Sequence, residues 1–489
     1  MKKTYKLNRS PEVLTPDLCI IGAGSAGLSV AAVAASFGAS VVLVEKGRIG
    51  GECLNAGCVP SKALIAAAHR AHACREGERF GISAGRDGMA IDFAQLHEHV
   101  KATIAAIAPM DSRERYAAMG VQVIEAEASF KDARTVSAGD KTIRARRFVI
   151  ASGSRPRAPD VPGLDQVPYL TNETIFELAE KPEHLVVLGG GAVGVELAQA
   201  YRRLGAQVTL LEIGEGILGR EDGEMTTVIA RALRREGVTL RCGAVIDRIE
   251  RRPGGRLAVV LGGNAETVEG SHLLVTTGRE AAIEGLGLEA AGIKADASGI
   301  VVGRDLKTSN PRVYAIGDCA GGEAAGARFT HAANHQAGLV IRSALFGLPV
   351  RIGRTPVPRV VYADPELAAV GLTEEQARAE RGALRILRWA FADNDRARAE
   401  GTTQGHVKAI VTRQGRVLGC TIVGPRAGEL IVPWIMAMSH GLKISDLAGL
   451  VYPYPTLSEV TKSVAVEFLK PATQNPWLRR FIGFVRRLR

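Results

Sequence analysis

Short, unbroken apolar runs punctuate this chain at regular places. Leu18-Cys19-Ile20-Ile21 leads into a glycine cluster, then an alanine-rich stretch, then a second run, Val41-Val42-Leu43-Val44. Apolar runs of this length bounded by turn residues predict strands buried on both faces, and the alanine-rich stretch between them has helical length. The unit reads strand, turn, helix, strand. Because Gly22, Gly24, Gly27 and Gly38 interrupt it, residues 18–44 do not read as a membrane span. The same unit recurs downstream: Leu185-Val186-Val187-Leu188, a glycine cluster, a helix through Tyr201, then Val208-Thr209-Leu210-Leu211. Between the repeats the pattern predicts helix over about 91–118 and short strands over about 121–148. From about Gly353 strands and helices alternate again, as in Val407-Lys408-Ala409-Ile410-Val411 and Gly419-Cys420-Thr421-Ile422-Val423, with no glycine cluster. That last part is expected to be a substrate module or an interface module.

The glycine clusters give the repeats a chemical purpose. Gly22-Ala23-Gly24-Ser25-Ala26-Gly27 is G-x-G-x-x-G with a strand before it, a helix after it, and Glu45 at the end of the next strand. Such glycines let the backbone approach a pyrophosphate at a helix N-terminus, and the acid accepts from ribose hydroxyls. In the second unit Gly189, Gly191, Gly194 and Glu212 repeat the arrangement. Two such folds imply two dinucleotides. Glu212 would bond a ribose diol and repel a 2′-phosphate, and Ile213 and Gly214 after it are not cationic, so NAD is expected in preference to NADP. Ala151-Ser152-Gly153-Ser154 and Thr276-Thr277-Gly278-Arg279 read as crossings between domains. The strand Val313-Tyr314-Ala315-Ile316-Gly317-Asp318 ends on an acid placed to hold a polyol.

The sharpest signal lies in Gly51-Glu52-Cys53-Leu54-Asn55-Ala56-Gly57-Cys58-Val59-Pro60-Ser61-Lys62. Along an undistorted helix five residues advance about 7.5 Å, beyond the roughly 4.4–6.8 Å between the α-carbons of a disulfide. Asn55-Ala56-Gly57 can supply the loosened turn that closes the gap. Lys62, four residues after Cys58, falls on the same face, and a cation beside sulfur favours thiolate. A redox-active dithiol is therefore expected. Half a zinc site is the bland reading, but no second Cys/His pair with that spacing exists.

Bulk properties narrow the class. At 489 residues and 46% hydrophobic content the chain should divide into two to four well-filled domains. Its seven cysteines are scattered apart from the one close pair, which is cytosolic usage. Residues 1–16 lack the apolar stretch of an export signal, so a cytoplasmic protein is expected. Of the net charge of +11, four units come from Lys2, Lys3, Lys6 and Arg9 and five from the arginines of residues 476–489, leaving +2 for the body. Charge at the two ends rather than on a folded face argues against nucleic acid.

In order and spacing these motifs resemble the flavin disulfide reductases, the group of dihydrolipoamide dehydrogenase, glutathione reductase and mercuric reductase, over residues 17–470. The resemblance implies an α/β chain of two Rossmann-like dinucleotide-binding domains plus a C-terminal α/β dimerisation domain, acting as a homodimer. It divides the chain into an FAD-binding domain (1–155 and 283–352), an NAD-binding domain (156–282), a dimerisation domain (353–475) and a basic tail (476–489). FAD would be held by Gly22, Gly24, Gly27, Glu45, Gly51, Gly153 and Asp318, with Lys62 near the flavin; NAD would be held by Gly189, Gly191, Gly194, Glu212 and Gly278. The resemblance also pairs Lys62 with Glu196, assigns Cys58 to the flavin and Cys53 to substrate, and implies electron flow from NADH through FAD to the disulfide and on to a small-molecule or protein dithiol/disulfide.

Two positions depart from the family. Disulfide-reducing members carry His-Pro-Thr with a Glu after it, donated across the dimer; here the chain reads Tyr454-Pro455-Thr456-Leu457-Ser458-Glu459. A phenol titrates near ~10 and an imidazole near ~6.5, so Tyr454 is a poor proton shuttle at neutral pH. Mercuric reductases resemble this chain in having tyrosine here, which makes Hg(II) the rival acceptor, although the C-terminal cysteine pair and N-terminal Cys-x-x-Cys domain of that group are missing. The second departure is Glu52, where the family commonly has threonine; a carboxylate close to Cys53 would raise its pKa. Beyond the family pattern, Trp477, Leu478, Phe481, Ile482, Phe484, Val485 and Leu488 share a helical arc of about 160° opposite most of the arginines. That pattern suits an in-plane helix on an anionic membrane surface, so peripheral attachment at the inner face of the cell membrane is expected.

Overall fold

A computed structural model describes residues 12–82, 90–263, 266–322, 326–353, 355–380 and 382–487. Lys2, Lys3, Lys6 and Arg9 lie outside the described residues, as do Leu488 and Arg489 of the tail.

The first apolar run forms β1 (Leu18–Ile21), followed by α1 (Ser25–Ser36) and β2 (Val41–Glu45). Short helix α2 (Gly51–Asn55) and the 18-residue α3 (Cys58–Arg75) come next. β3 (Val121–Glu125) and β4 (Arg147–Ile150) complete this stretch, and β5 (Ser154–Pro156) leaves it. The second unit is β6 (His184–Leu188), α4 (Ala192–Arg203), β7 (Gln207–Glu212), α5 (Gly223–Arg235), β8 (Thr239–Cys242) and β9 (His272–Val275), and β10 (Arg279–Ala281) returns. Then follow β11 (Val313–Ala315) and α6 (Thr330–Ala344).

Both nucleotide folds are parallel sheets, ordered β11-β4-β1-β2-β3 and β8-β7-β6-β9. Their registers repeat: Leu18 to Ile21 pair with Val41 to Val44, and Leu185 to Leu188 pair with Val208 to Leu211. All four residues of β1 are buried, as are Leu185 to Leu188, which is why these strands read as continuous apolar runs rather than alternating ones. The outgoing strand β5 and the returning strand β10 pair antiparallel, Ser154 with Ala281 and Pro156 with Arg279, so the two crossings form one ribbon.

The C-terminal part is a five-stranded antiparallel sheet, β12 (Arg359–Val361), β13 (Glu366–Gly371), β14 (Leu384–Ala390), β15 (His406–Thr412) and β16 (Val417–Gly424), in the order β12-β13-β16-β15-β14. α7 (Glu459–Leu469) packs on it, and α8 (Pro476–Val485) ends the description. One apolar cluster joins three parts of the chain: Ala63, Leu64, Ile65 and Ala68 of α3, the core of the second nucleotide fold, and Val361, Leu367, Ala369 and Val423 of the C-terminal sheet. Ion pairs reinforce the seam. Lys408, 4% exposed, meets Asp222 at 2.8 Å, Glu224 at 2.8 Å and Glu374 at 2.7 Å, and Arg203 meets Glu236 at 2.7 Å and Asp364 at 2.9 Å. Helix α3 is thereby held from both sides. Cys58 opens it.

Candidate active site

Each glycine loop is closed by its own acid. Glu45 accepts from Ala23 N–H at 2.5 Å and Gly47 N–H at 2.7 Å; Glu212 accepts from Gly190 N–H at 2.6 Å and Gly214 N–H at 2.7 Å. A carboxylate has about four acceptor sites, so both retain capacity for a ribose diol. The repeated Glu-x-Gly is plain in the sequence, and its second member supplies a donor that the spacing argument passed over. Gly22 has φ +105°, and a Cβ there would run into the Ala151 carbonyl, so the turn demands glycine. At Gly24 an added Cβ would meet only Gly51, at 3.9 Å, and at Gly191 nothing within 4 Å. Those two open positions, each capping a 12-residue helix, fit a pyrophosphate approaching the backbone. Gly27 and Gly194 face the carbonyls of Gly22 and Gly189, where a Cβ would not fit.

Helix α2 packs directly on the first loop. Gly50 N–H donates to Ala23 at 2.9 Å, and a Cβ on Gly51 would come within 2.7 Å of the Gly24 α-carbon. The expected loosened turn is present: α2 ends at Asn55, and Ala56 (φ −146°) and Gly57 (φ −131°, ψ −108°) break the helix before α3 resumes at Cys58. Neither cysteine is joined in a disulfide in this structure, and the two thiols perturb one another. The neighbouring Cys53, with Thr330 and the Lys62 cation, brings Cys58 down from the ordinary thiol value against the opposing effect of burial. The neighbouring Cys58 and burial push Cys53 far up. Thr330 Oγ1, at the start of α6, lies 3.7 Å from Cys58 Sγ.

Lys62 Nζ bonds Glu196 Oε2 at 2.8 Å and sits 4.3 Å from the Tyr362 ring centroid. Glu196, 6% exposed, also accepts from Tyr362 N–H at 2.9 Å, so its position in α4 is fixed twice. At the crossing ribbon, Ser154 Oγ donates to Asp318 at 2.6 Å and accepts from Arg279 Nε at 2.8 Å. Gly153 and Gly278 flank that ribbon, each with open space where a Cβ would be.

Glu52 does not act on Cys53 in the way its adjacency suggested. Its carboxylate is taken up by Arg279 Nη2 and by Asn172 Nδ2, the latter at 2.8 Å. Burial raises it to about 7, outweighing the Arg279 guanidinium, with Asp318, Glu173 and Cys58 adding to the rise. Arg279, Asn172 and Thr330 were not singled out by sequence, because each reaches the site from more than 100 residues away.

Tyr454 and Glu459 stand on the C-terminal domain, and their hydrogen bonds stay there. The Tyr454 hydroxyl, on a side chain 71% exposed, donates to Asp395 at 3.0 Å, which raises its pKa further. Glu459 accepts from Thr456 N–H at 3.3 Å. In α8 Trp477, Phe481, Ile482 and Phe484 are all at least half exposed. Among the described residues no helix is long and apolar enough to cross a membrane.

Known proteins share this architecture along most of their length. Residues 16–337 match the family model for pyridine nucleotide-disulphide oxidoreductase, and residues 357–465 match that family's dimerisation domain. A mercuric reductase of Streptomyces lividans is 37% identical, covering 92% of this chain and 96% of its own. A dihydrolipoyl dehydrogenase of Geobacillus stearothermophilus is 35% identical, covering 91% and 94%. Among solved structures, the Cu(II) complex of the HOCl-induced flavoprotein disulfide reductase RclA from Escherichia coli superposes with a TM-score of 0.81 at 30% identity, covering 91% of this chain and 99% of that one. The chain belongs to the pyridine nucleotide-disulphide oxidoreductases, a family of FAD-dependent enzymes that use NAD(P)H.

Proposed function

We propose that this chain transfers electrons from NADH to a dithiol/disulfide substrate, in the manner of dihydrolipoamide dehydrogenase, with Cys53 and Cys58 as the exchanging pair. The observation that carries the reading is a thiol pair at a broken helix start, with Thr330 Oγ1 3.7 Å from Cys58 and Lys62 one turn on, anchored by Glu196 at 2.8 Å. Bound FAD supplies the two-electron relay between nicotinamide and sulfur. Its pyrophosphate would lie against Gly24 and Gly51, its adenosine ribose at Glu45 and its polyol at Asp318, while NAD would take Gly189, Gly191, Gly194 and Glu212.

In the reduced pair Cys53 passes its proton to the neighbouring Cys58 thiolate and attacks the acceptor disulfide as thiolate, forming one S–S bond and releasing one thiolate, which takes the proton back from Cys58. Cys58 thiolate then attacks Cys53, closing the protein disulfide and releasing the second thiol. The two electrons of the dithiol pass to the acceptor, with one proton coming from Cys53 and one from water. Glu196 keeps Lys62 beside Cys58 throughout. Tyr454 and Glu459 would reach this site from a second copy, and the match to a dimerisation domain supports a homodimer.

Mercuric-ion reduction is the second reading, favoured by Tyr454 in the histidine position and by relatives named mercuric reductase. A steady-state panel of lipoamide, glutathione disulfide and Hg(II) with NADH, on purified protein, decides between them. Turnover with none of the three removes both. The exposed apolar arc and arginines of α8 support a further reading, attachment to an anionic membrane surface. Sedimentation with anionic vesicles that survives deletion of residues 476–489 would dispose of it.

A further inference from the structure

The site contains a charge that the reaction above does not use. Glu52 occupies the first turn of α2, directly after Gly51, which packs on the Gly24 loop where a diphosphate fits. On its other side a chain of bonds runs from Glu52 through Arg279 to Ser154 and Asp318, the acid placed for the polyol. Glu52 therefore stands between the diphosphate end and the ribityl end of the FAD channel. An anionic side chain beside an anionic cofactor and a second acid is electrostatically adverse unless a cation answers it.

Arg279 is built to be that cation. Nε binds Ser154 Oγ at 2.8 Å, Nη1 binds Asn172 Oδ1 at 3.2 Å, and Nη2 binds both Glu52 and the Ser154 carbonyl, the latter at 3.0 Å. Four of its five N–H groups are thus committed inside the protein, so little of it is left to hold a ligand directly. Burial, and after it Asp318, raise the Glu52 carboxyl, and Arg279 is the group that opposes the rise.

We propose that Glu52 and Arg279 are positioning residues that line the FAD channel as a mutually neutralising pair, and that flavin retention depends on Arg279 because Glu52 is there. The inference rests on the proposed function only in taking FAD to occupy this channel.

The test is a double-mutant cycle on flavin release. Purified holoenzyme in the oxidised state is diluted with a flavin scavenger, and the rate of flavin loss is followed by fluorescence. At alkaline pH, where Glu52 is ionised, Arg279→Met should release flavin at least tenfold faster than the parent, because it leaves the Glu52 carboxylate unanswered. Glu52→Gln, which keeps an acceptor for Asn172, should stay within threefold. The double variant should return to within threefold of the parent, which a merely structural loss at Arg279 would not do. A double variant that releases flavin as fast as Arg279→Met overturns the proposal, as does an Arg279→Met protein that retains flavin normally. Should Arg279→Met fail to accumulate, the double variant must still accumulate as yellow protein, and its failure counts against the pairing. A colourless parent protein would instead remove the functional reading beneath it.

Discussion

Replacing Lys62 tests the electrostatic centre of the site. The β-carbons of side chains four apart on a helix lie about 5–6 Å from each other, and that spacing gives the order of the Lys62–Cys58 charge separation. At ~6 Å and an effective dielectric constant of about 20, a unit charge acts with about 2.8 kcal/mol. Lys62 is 36% exposed in its side chain and carries Glu196 at 2.8 Å, so solvent and counter-ion remove a large share. Taking that share as roughly half leaves about 1.4 kcal/mol, or one pKa unit. Cys58 lies below the ordinary thiol value in the parent. Lys62→Met should therefore carry its midpoint up by about one unit.

The assay is the long-wavelength thiolate-to-flavin absorbance of the two-electron-reduced protein, titrated from acid to alkaline pH. Sign matters more than size. The thiolate predominates above its pKa, so the band in the parent should fade as pH falls through the Cys58 midpoint, which lies below the ordinary thiol value. In Lys62→Met it should fade sooner on acidification. Glu196→Gln removes a negative charge that raises Cys58, so its midpoint should move the other way, below that of the parent. If both variants shift the midpoint in the same direction, or Lys62→Met leaves it unmoved, the assignment of Lys62 as the stabilising charge is wrong.

Flavin reduction should be at least tenfold faster with NADH than with NADPH, since Glu212 is fixed by two backbone donors and cannot swing away from a 2′-phosphate. Equal stopped-flow rates would dismiss that argument. Tyr454→His should raise lipoamide turnover at least tenfold, the lower end of the roughly 10²–10⁴-fold worth of a positioned base being discounted for an unoptimised site. An unchanged rate would show that the position takes no part in proton transfer. Lys408→Met leaves the buried Asp222 without its cation and should cost about 3–5 kcal/mol, seen as earlier denaturant unfolding. Adding Asp222→Asn should recover part of the loss, and a pair of purely additive effects would contradict the ion-pair account.

Local regularity made part of this molecule legible. The strand runs Leu18–Ile21 and Leu185–Leu188 announce themselves because burial on both faces leaves no polar position to break the run. The Asn55-Ala56-Gly57 break followed from the reach of a helix, a one-dimensional argument that needs no tertiary knowledge. The contact of Lys62 with Glu196 spans 134 residues and came only with the family resemblance. Glu52 shows where such reading stops. Its neighbour in sequence is Cys53, but its partners in space are Asn172 and Arg279, 120 and 227 residues further on. No periodicity reports a partner at that distance.

The apolar cluster that joins α3 to the second nucleotide fold and the C-terminal sheet has a consequence for protein engineering. Junctions for chimeras between members of this family are naturally drawn at the crossing ribbon, where the chain passes between modules. A graft cut there would bring a foreign second fold against Ala63, Leu64, Ile65 and Ala68 of the host, side chains shaped for a different neighbour. Transplants that carry those four positions, together with the facing Val361, Leu367, Ala369 and Val423, should keep the donor's thiol geometry where simple module exchange loses it.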